Sequence, residues 1–266
     1  MHLFDAHLHI IDPRFPLKEN QGFLPPPFTL LDYLTLATPL GVAGGAVISG
    51  SFQGFDLTYL EDALPHLGPG FVGVAQLPLA TPTDEIRRLD ALGVRAVRFN
   101  LHRGLQDDLD GMLHLAQRVH ALAGWHAELF LDAAEVPRLA GWLQELPAIC
   151  IDHLGLSRLG LVHLLALAER GAWIKASGFG RLGFPVAEAL RDLCQIRPDR
   201  IMWGSDLPGT RAPRPFHPRD LDLIAETLAD PGLIEGVLWA NARTLYRPAD
   251  LLPPQGPPTE PRQGGY

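Results

Sequence analysis

The sequence predicts a single (β/α)8 barrel, or TIM barrel. A short apolar run followed by a stretch with helical hydrophobic period recurs along almost the whole chain, and there are eight such runs. A length of 266 residues with 47% hydrophobic content is enough for one large core. An open, doubly wound sheet is the alternative that these patterns leave open.

The candidate strands are rich in valine, isoleucine, alanine and phenylalanine, as expected for parallel strands buried on both faces. They are residues 3–9, 45–49, 71–77, 95–100, 126–132, 148–153, 173–177 and 201–206. Helical segments are predicted between them at residues 84–92, 109–123, 135–146, 161–170 and 186–195. This alternation over eight units is the pattern of a barrel.

We expect one barrel domain, residues 1–247, followed by a tail. Residues 248–266 contain six prolines and three glycines without an apolar period, which predicts a flexible or surface-draped segment. No run approaches the roughly 18 apolar residues of a membrane helix, and no signal peptide is recognisable. Cys150 and Cys194 lie in apolar runs and are expected to be buried thiols in a reducing compartment. We therefore expect a cytoplasmic protein, either a monomer or a homo-oligomer.

The charge balance argues against nucleic acid or a membrane as a partner. Lysine and arginine together number 22 against 30 aspartates and glutamates, which gives a net charge of −8. The chain therefore has no overall basic field. A small anionic substrate would have to be bound by a local cluster of arginines.

Polar side chains occupy the carboxyl ends of several predicted strands, where (β/α)8 enzymes carry their active sites. Strand one ends in His7-Leu8-His9, and the two histidines share a face because alternate residues of a strand point the same way. His153 ends strand six and Asp206 ends strand eight. Converging imidazoles suit a metal ion, or a water molecule held for attack.

A competing motif lies at residues 178–183, where GFGRLG matches the GxGxxG fingerprint of dinucleotide-binding proteins. A dinucleotide site also needs an acidic residue about 20 positions further on. Asp206 lies 28 residues after Gly178, and the motif leaves the preceding strands unexplained. An NAD-dependent oxidoreductase is therefore a remote alternative. The other interpretation is a loop that passes close to the site without side chains.

Six segments, spread in order over nearly the whole barrel, are similar to the amidohydrolase superfamily, in particular its family-2 branch. They are FDAHLHIID, GVRAVRFNLHRG, ICIDHLGLS, WIKASGFGRL, MWGSDLP and VLWANARTLYRP. Within that branch the chain resembles the 2-pyrone-4,6-dicarboxylate lactonases and related sugar-lactone hydrolases. The resemblance implies a metal-dependent-hydrolase-like TIM barrel.

The resemblance also implies roles for the polar residues at the strand ends. His7, His9 and His153 would surround the scissile carbonyl, and Asp206 would activate water. Arg98, Arg103 and Arg181 would bind carboxylates of the substrate. A guanidinium suits this task because its planar fork binds a carboxylate bidentately and keeps its charge.

The chain departs from its relatives around the metal site and the substrate pocket. Metal-dependent members carry a further histidine at the end of strand five, where this chain has Phe130-Leu131-Asp132. Many other members carry a lysine or a glutamate at the end of strand four, where this chain has Asn100. The lactonase branch works without a metal, so we expect no required cofactor. His7, His9 and Asp206 could still hold one zinc or manganese ion.

Substrate recognition also differs from the lactonase pattern. Phe130 replaces a tyrosine of the dicarboxylate lactonases, and the segment after Asp206 reads LPGTRAPRPFH. Arg211, Arg214 and His217 thus stand where the lactonases carry a Trp-Pro-His type of sequence.

The leading hypothesis is a hydrolase that opens a lactone of a small carboxylated molecule. A metal-dependent decarboxylase or amide hydrolase of the same superfamily is the alternative. A barrel that binds a ligand without turning it over is the third class.

Overall fold

The computed structural model describes residues 2–103 and 108–251. Within them, eight parallel strands form one sheet in which each strand pairs with the next along the chain. The strands are β1 Leu3–Leu8, β2 Val42–Ile48, β3 Phe71–Ala75, β4 Val94–Asn100, β5 His126–Phe130, β6 Ile149–Ile151, β7 Trp173–Ser177 and β8 Ile201–Gly204. The predicted barrel is confirmed, and the doubly wound sheet is wrong.

Helices surround the strands. They are α1 Leu30–Ala37, α2 Thr58–Leu67, α3 Thr83–Leu92, α4 Leu109–Ala123, α5 Val136–Glu145, α6 Leu161–Glu169, α7 Val186–Ile196, α8 Arg219–Leu228, α9 Pro231–Glu235 and α10 Asn241–Tyr246. Helices α3 to α7 agree with the predicted segments to within one residue at each end. A π-helical turn, Gly236–Ala240, joins α9 to α10.

The barrel closes where β8 meets β1. The Asp206 backbone N–H donates to the His7 carbonyl at 2.7 Å, and the His9 N–H donates to the Leu207 carbonyl at 2.8 Å. A side chain at Gly204 would place its Cβ 2.7 Å from the His7 backbone nitrogen. Glycine at this position therefore lets the last strand approach the first.

Two apolar layers pack on the strands. One lies between the strands and the helices, and the other fills the barrel interior with residues such as Phe4, Ile48 and Met202. Cys150 is buried inside the barrel, and Cys194 lies on the buried face of α7. Both are free thiols, as predicted. The interior also holds charged side chains, among them Glu128 and Lys175, which are fully buried.

In the described part of the chain, no helix is long and apolar enough to cross a membrane. Most of the predicted tail, residues 252–266, lies outside the described residues.

Candidate active site

Three imidazoles converge on one carboxylate oxygen at the carboxyl end of the barrel. The Oδ1 atom of Asp206 lies 3.8 Å from Nε2 of His7, 3.9 Å from Nε2 of His9 and 3.9 Å from Nε2 of His153. All four side chains are buried. The structure thus brings together the four residues that the sequence analysis expected to form the catalytic set.

An irregularity in the β1 backbone positions the His7 and His9 rings of the HLH segment. The β1–β2 register shifts between Asp5 and Leu8, so His7 lies in a bulge. The His7 and His9 rings meet edge to face with centroids 5.1 Å apart, and the His7 and His153 centroids are 4.5 Å apart. Bulges of this kind re-aim side chains next to active sites.

His153 and Asp206 adopt a left-handed backbone conformation just after their strands. Their φ angles are 51° and 62°. Residues other than glycine rarely adopt such angles, and each instance costs about 1–3 kcal/mol. The bond from the Asp206 N–H to the His7 carbonyl holds one of them in place. Strain concentrated at two residues of one cluster is typical of functional sites.

The glycine-rich segment after β7 passes over the same cluster. A Cβ at Gly178 would lie 2.7 Å from Nδ1 of His153 and 3.1 Å from Cδ of Arg181. Gly178 also has a φ of 61°. The segment is therefore a loop that approaches the site without a side chain, and its assignment to a dinucleotide site is wrong because the fold is a barrel.

Burial sets the charge of the cluster. It lowers the pKa of His9 to about 3, and it holds the pKa values of His7 and His153 well below the usual histidine range. Burial also raises the pKa of Asp206, although the Arg181 guanidinium opposes this rise. The three imidazoles are therefore neutral at neutral pH, and the adjacent Arg181 guanidinium favours the ionised form of the Asp206 carboxyl.

One backbone contact determines where His9 carries its proton. Nδ1 of His9 lies 2.8 Å from the carbonyl oxygen of Ile48, which can only accept a hydrogen bond. The proton of the neutral ring is therefore on Nδ1, and Nε2 presents a lone pair to the site. In this tautomer, Nε2 of His9 cannot donate a hydrogen bond to the scissile carbonyl that the resemblance places beside it. It makes His9 an acceptor or a metal ligand.

The other two histidines contact polar groups behind the site. Nδ1 of His153 lies 2.9 Å from the Ser177 hydroxyl. Nδ1 of His7 lies 3.2 Å from Oδ1 of Asp152 and 3.3 Å from Nζ of Lys175. Asp152 directly follows β6 and Lys175 lies in the middle of β7, and the sequence analysis assigned neither residue a role.

The converging atoms fit a divalent cation. Nε2 of His7 and Oδ1 of Asp206 are buried without a hydrogen-bond partner among the described residues. Together with Nε2 of His153 they form a group whose potential ligand atoms lie within 4.8 Å of one another. His9 adds a further imidazole beside Asp206. Nitrogen and carboxylate donors in this number are those of zinc sites.

The three predicted substrate-binding arginines all line the cleft above the cluster. Arg98 is buried and already bonded, to Asp152 Oδ2 at 3.0 Å and to the Ser49 carbonyl at 2.9 Å. Nε of Arg181 donates to Oδ2 of Asp206 at 2.6 Å. The Arg103 guanidinium lies 5.7 Å from the centre of the Phe130 ring and has no carboxylate partner in the part of the chain that the structure describes.

Arg211 is a fourth arginine of this cleft, which the sequence analysis named as a departure but did not assign to substrate binding. Its guanidinium donates to the Asn20 carbonyl and stacks 4.5 Å from the centre of the Phe23 ring. No acidic side chain among residues 2–103 and 108–251 pairs with it. Its position five residues after Asp206 was the signal that could have identified it. Arg214 instead pairs with Asp220.

Comparisons with known proteins agree with this geometry. A family profile described as Amidohydrolase matches residues 4–247. A 4-sulfomuconolactone hydrolase from Rhizobium radiobacter is 30% identical over 91% of this chain and 89% of its own length. A 2-pyrone-4,6-dicarboxylate hydrolase from Comamonas testosteroni is 26% identical over 93% of this chain and 90% of its own.

A solved structure gives the same result for the fold. A protein from Pseudomonas putida, described as a 2-pyrone-4,6-dicarboxylic acid hydrolase, superposes with a TM-score of 0.80 at 28% identity. The match covers 92% of this chain and 97% of that protein.

Proposed function

Because this chain belongs to the amidohydrolase family and is a hydrolase, we propose that it opens the lactone ring of a small molecule that carries at least two anionic groups. The observation that carries this proposal is the convergence of three neutral imidazoles on Asp206 beneath a cleft lined by four arginines. The names of the relatives, a sulfomuconolactone hydrolase and a pyrone dicarboxylate hydrolase, support both the ring and the negative charges.

Asp206 activates the attacking water. Arg181 occupies Oδ2 of this carboxylate, so Oδ1 is the atom that accepts a proton. A water molecule between Oδ1 and Nε2 of His9 would donate a hydrogen bond to each atom and direct a lone pair at the substrate. Proton transfer to a placed general base contributes about 10²–10⁴-fold to the rate.

The remaining imidazoles, His7 and His153, stabilise the oxyanion. Water adds to the carbonyl carbon, its proton passes to Asp206, and the carbonyl oxygen becomes negatively charged. Donors aimed at that oxygen lower the barrier because they act in a dry site. The ring C–O bond then breaks, and the proton on Asp206 passes to the leaving oxygen. The single product is an open-chain acid.

Arginines bind the anionic groups of the substrate. Arg181 contacts Asp206 through Nε and has its two terminal nitrogens left for a substrate carboxylate. Arg103 and Arg211 are close enough for Arg211 to lower the pKa of Arg103, after the larger effect of burial. Two cations that face the same space without a carboxylate favour an anion between them.

A metal-dependent decarboxylase or amide hydrolase is the second candidate, and the lone pair of His9 favours it. His7, His9, His153 and Asp206 would hold the ion. A bound divalent ion would polarise the scissile group and lower the pKa of a bound water molecule.

Replacement of Asp206 by asparagine tests the proposal. In Asp206→Asn we expect kcat for a dicarboxylated lactone to fall about 10²–10⁴-fold, because the amide cannot take a proton from water. Release of acid during ring opening gives the rate, and circular dichroism checks the fold. Full activity in the folded variant would contradict the mechanism.

Elemental analysis and a chelator separate the two candidates. Lactone hydrolysis by metal-free protein that resists a chelator supports the first. About one zinc or manganese per chain with chelator-sensitive turnover of an amide or a carboxylic acid supports the second.

A further inference from the structure

We propose that Lys175 holds the proton of His7 on the Nε2 atom that faces the site, and so makes His7 a hydrogen-bond donor where His9 is an acceptor. The catalytic value of this donor rests on the proposed function. The hydrogen bonds that support it lie beneath the site, in the barrel interior. Lys175 is a positioning residue, because it acts through His7.

The ammonium of Lys175 is fully buried among three acceptors. Its Nζ lies 2.6 Å from Oε1 of Glu128, 3.3 Å from Oδ1 of Asp152 and 3.3 Å from Nδ1 of His7. An ammonium has three hydrogens to donate and no lone pair. Of these three contacts, the one to Nδ1 of His7 has the geometry of a hydrogen bond, and the two carboxylates form ion pairs with the ammonium. Because the ammonium can only donate, Nδ1 of His7 accepts and carries no proton.

The opposite placement of the proton leaves a charged donor without a partner. If Nδ1 of His7 were protonated, its proton would face the hydrogen that Lys175 directs at it, and Oδ1 of Asp152, although 3.2 Å away, does not form a hydrogen bond with this nitrogen. A buried donor without a partner costs about 1–3 kcal/mol, and more when it is charged. With Nδ1 unprotonated, Lys175 donates to His7 and keeps its ion pair with Asp152 Oδ1 at 3.3 Å. The ring proton of neutral His7 is then on Nε2.

Neighbouring carboxylates keep the lysine charged despite its burial. Burial alone lowers the pKa of Lys175, but the carboxylates of Glu128 and Asp152 outweigh it, so that the pKa is raised above its usual value. Tyr246 donates its hydroxyl to Oε2 of Glu128 at 2.9 Å, and Arg98 donates to Oδ2 of Asp152. The two carboxylates and the two cations balance one another inside the barrel.

This arrangement explains two histidines with different tasks in one HLH segment. The Ile48 carbonyl makes His9 an acceptor, and Lys175 makes His7 a donor. A protonated Nε2 cannot bind a metal ion, so Lys175 also disfavours metal binding by His7. Metal binding would require the ring proton to move to Nδ1 and to bond to Asp152.

Nitrogen NMR of the intact protein tests the proposal directly. Protein labelled with ¹⁵N-histidine is measured without metal at neutral pH, where long-range ¹H–¹⁵N couplings distinguish the two tautomers. The signals of His7 are identified by their loss in His7→Gln. We expect a proton on Nε2 of His7 and on Nδ1 of His9. A proton on Nδ1 of His7 overturns the proposal.

Replacement of the lysine gives a second test. In Lys175→Met the His7 proton is expected to move to Nδ1, toward Asp152, and the affinity for added zinc is expected to rise by about tenfold or more. The kcat for a lactone should fall about 10²–10³-fold with a smaller change in KM, as when an oxyanion donor is lost. An unchanged His7 tautomer in a folded variant overturns the proposal.

A double variant covers the case in which Lys175→Met does not fold. Loss of one partner from a buried ion pair costs about 3–5 kcal/mol. Lys175→Met with Glu128→Gln removes both charges and keeps an acceptor for Tyr246, so the same NMR and zinc measurements apply. If the tautomers are as expected but no lactone is hydrolysed, the proton placement is supported and only the proposed function fails.

Discussion

Each histidine of the site is defined by an atom that is distant in the sequence. The Ile48 carbonyl fixes the proton of His9 from 39 residues away, and Ser177 contacts His153 from 24 residues away. Residue type and strand period predict that imidazoles meet at one point. They do not predict which nitrogen carries the proton, because that depends on partners brought near by the fold.

Arg211 gives a prediction for substrate binding. In Arg211→Gln we expect KM for a lactone with two carboxylates to rise about 10–100-fold, because a hydrogen bond to a charged group is worth about 1.5–3 kcal/mol. The kcat should change little, since Arg211 does not contact Asp206 or the imidazoles. Initial rates with a lactone that carries one carboxylate should show a smaller effect.

A neighbouring arginine provides the matched control. Arg214 pairs with Asp220 through two hydrogen bonds of 2.9 and 2.8 Å. Arg214→Gln should therefore leave KM for both lactones near its original value. Equal KM values for Arg211→Gln and the unchanged protein would show that Arg211 does not bind substrate.

At the scale of the elements, the position of the loop between β7 and α7 indicates its role better than its match to GxGxxG does. The GFGRLG segment matches a nucleotide-binding pattern because both kinds of loop need glycine where the backbone passes close to another group. Its first glycine packs against His153, and its arginine bonds to Asp206. The order of the strands, which the sequence does predict, separates the two interpretations.

A methyl group at Gly178, the first residue of this loop, should displace the His153 side chain. In Gly178→Ala the added Cβ would lie 2.7 Å from Nδ1 of His153, and the φ of 61° disfavours alanine. We expect kcat to fall at least about tenfold, since a misplacement of about 1 Å can cost about 10²-fold. The melting temperature should fall by only a few degrees.

Gly183 of the same loop provides the control, because a Cβ there would meet nothing within 4 Å. Gly183→Ala is expected to keep its kcat. If both alanine variants are equally active, the close approach at Gly178 has no catalytic importance.

For the whole molecule, the sequence predicts the strand count, the helices α3 to α7 and the meeting of His7, His9, His153 and Asp206 at one end of the barrel. The reason is that eight buried strands need apolar runs and put their polar residues at one rim. It does not predict the charges beneath that rim. Lys175 and Glu128 lie in the middle of β7 and β5, and only the closed barrel places Nζ of the lysine 2.6 Å from Oε1 of the glutamate.

The two thiols report on opening of the barrel. Burial raises the pKa of Cys150 well above its usual value and that of Cys194 to about 11, so little of either is the reactive thiolate at pH 8. We expect a thiol reagent to react slowly with the native protein and rapidly in denaturant. The increase in absorbance as the reagent is cleaved gives both rates.

Cys194→Ala isolates the thiol inside the barrel. Its remaining thiol, Cys150, should react only as fast as the barrel opens, so its rate should rise with urea in step with the loss of circular dichroism. Rapid reaction of Cys150 in native buffer would contradict its placement in the interior.

The contact between β8 and β1 has a consequence for synthesis of the protein. Asp206, whose N–H donates to the His7 carbonyl, is synthesised about 200 residues after His7 and His9. Over that interval the nascent chain carries two of the four clustered side chains without the Asp206 carboxylate on which they converge. The proposed catalytic cluster is complete only when β8 docks onto β1.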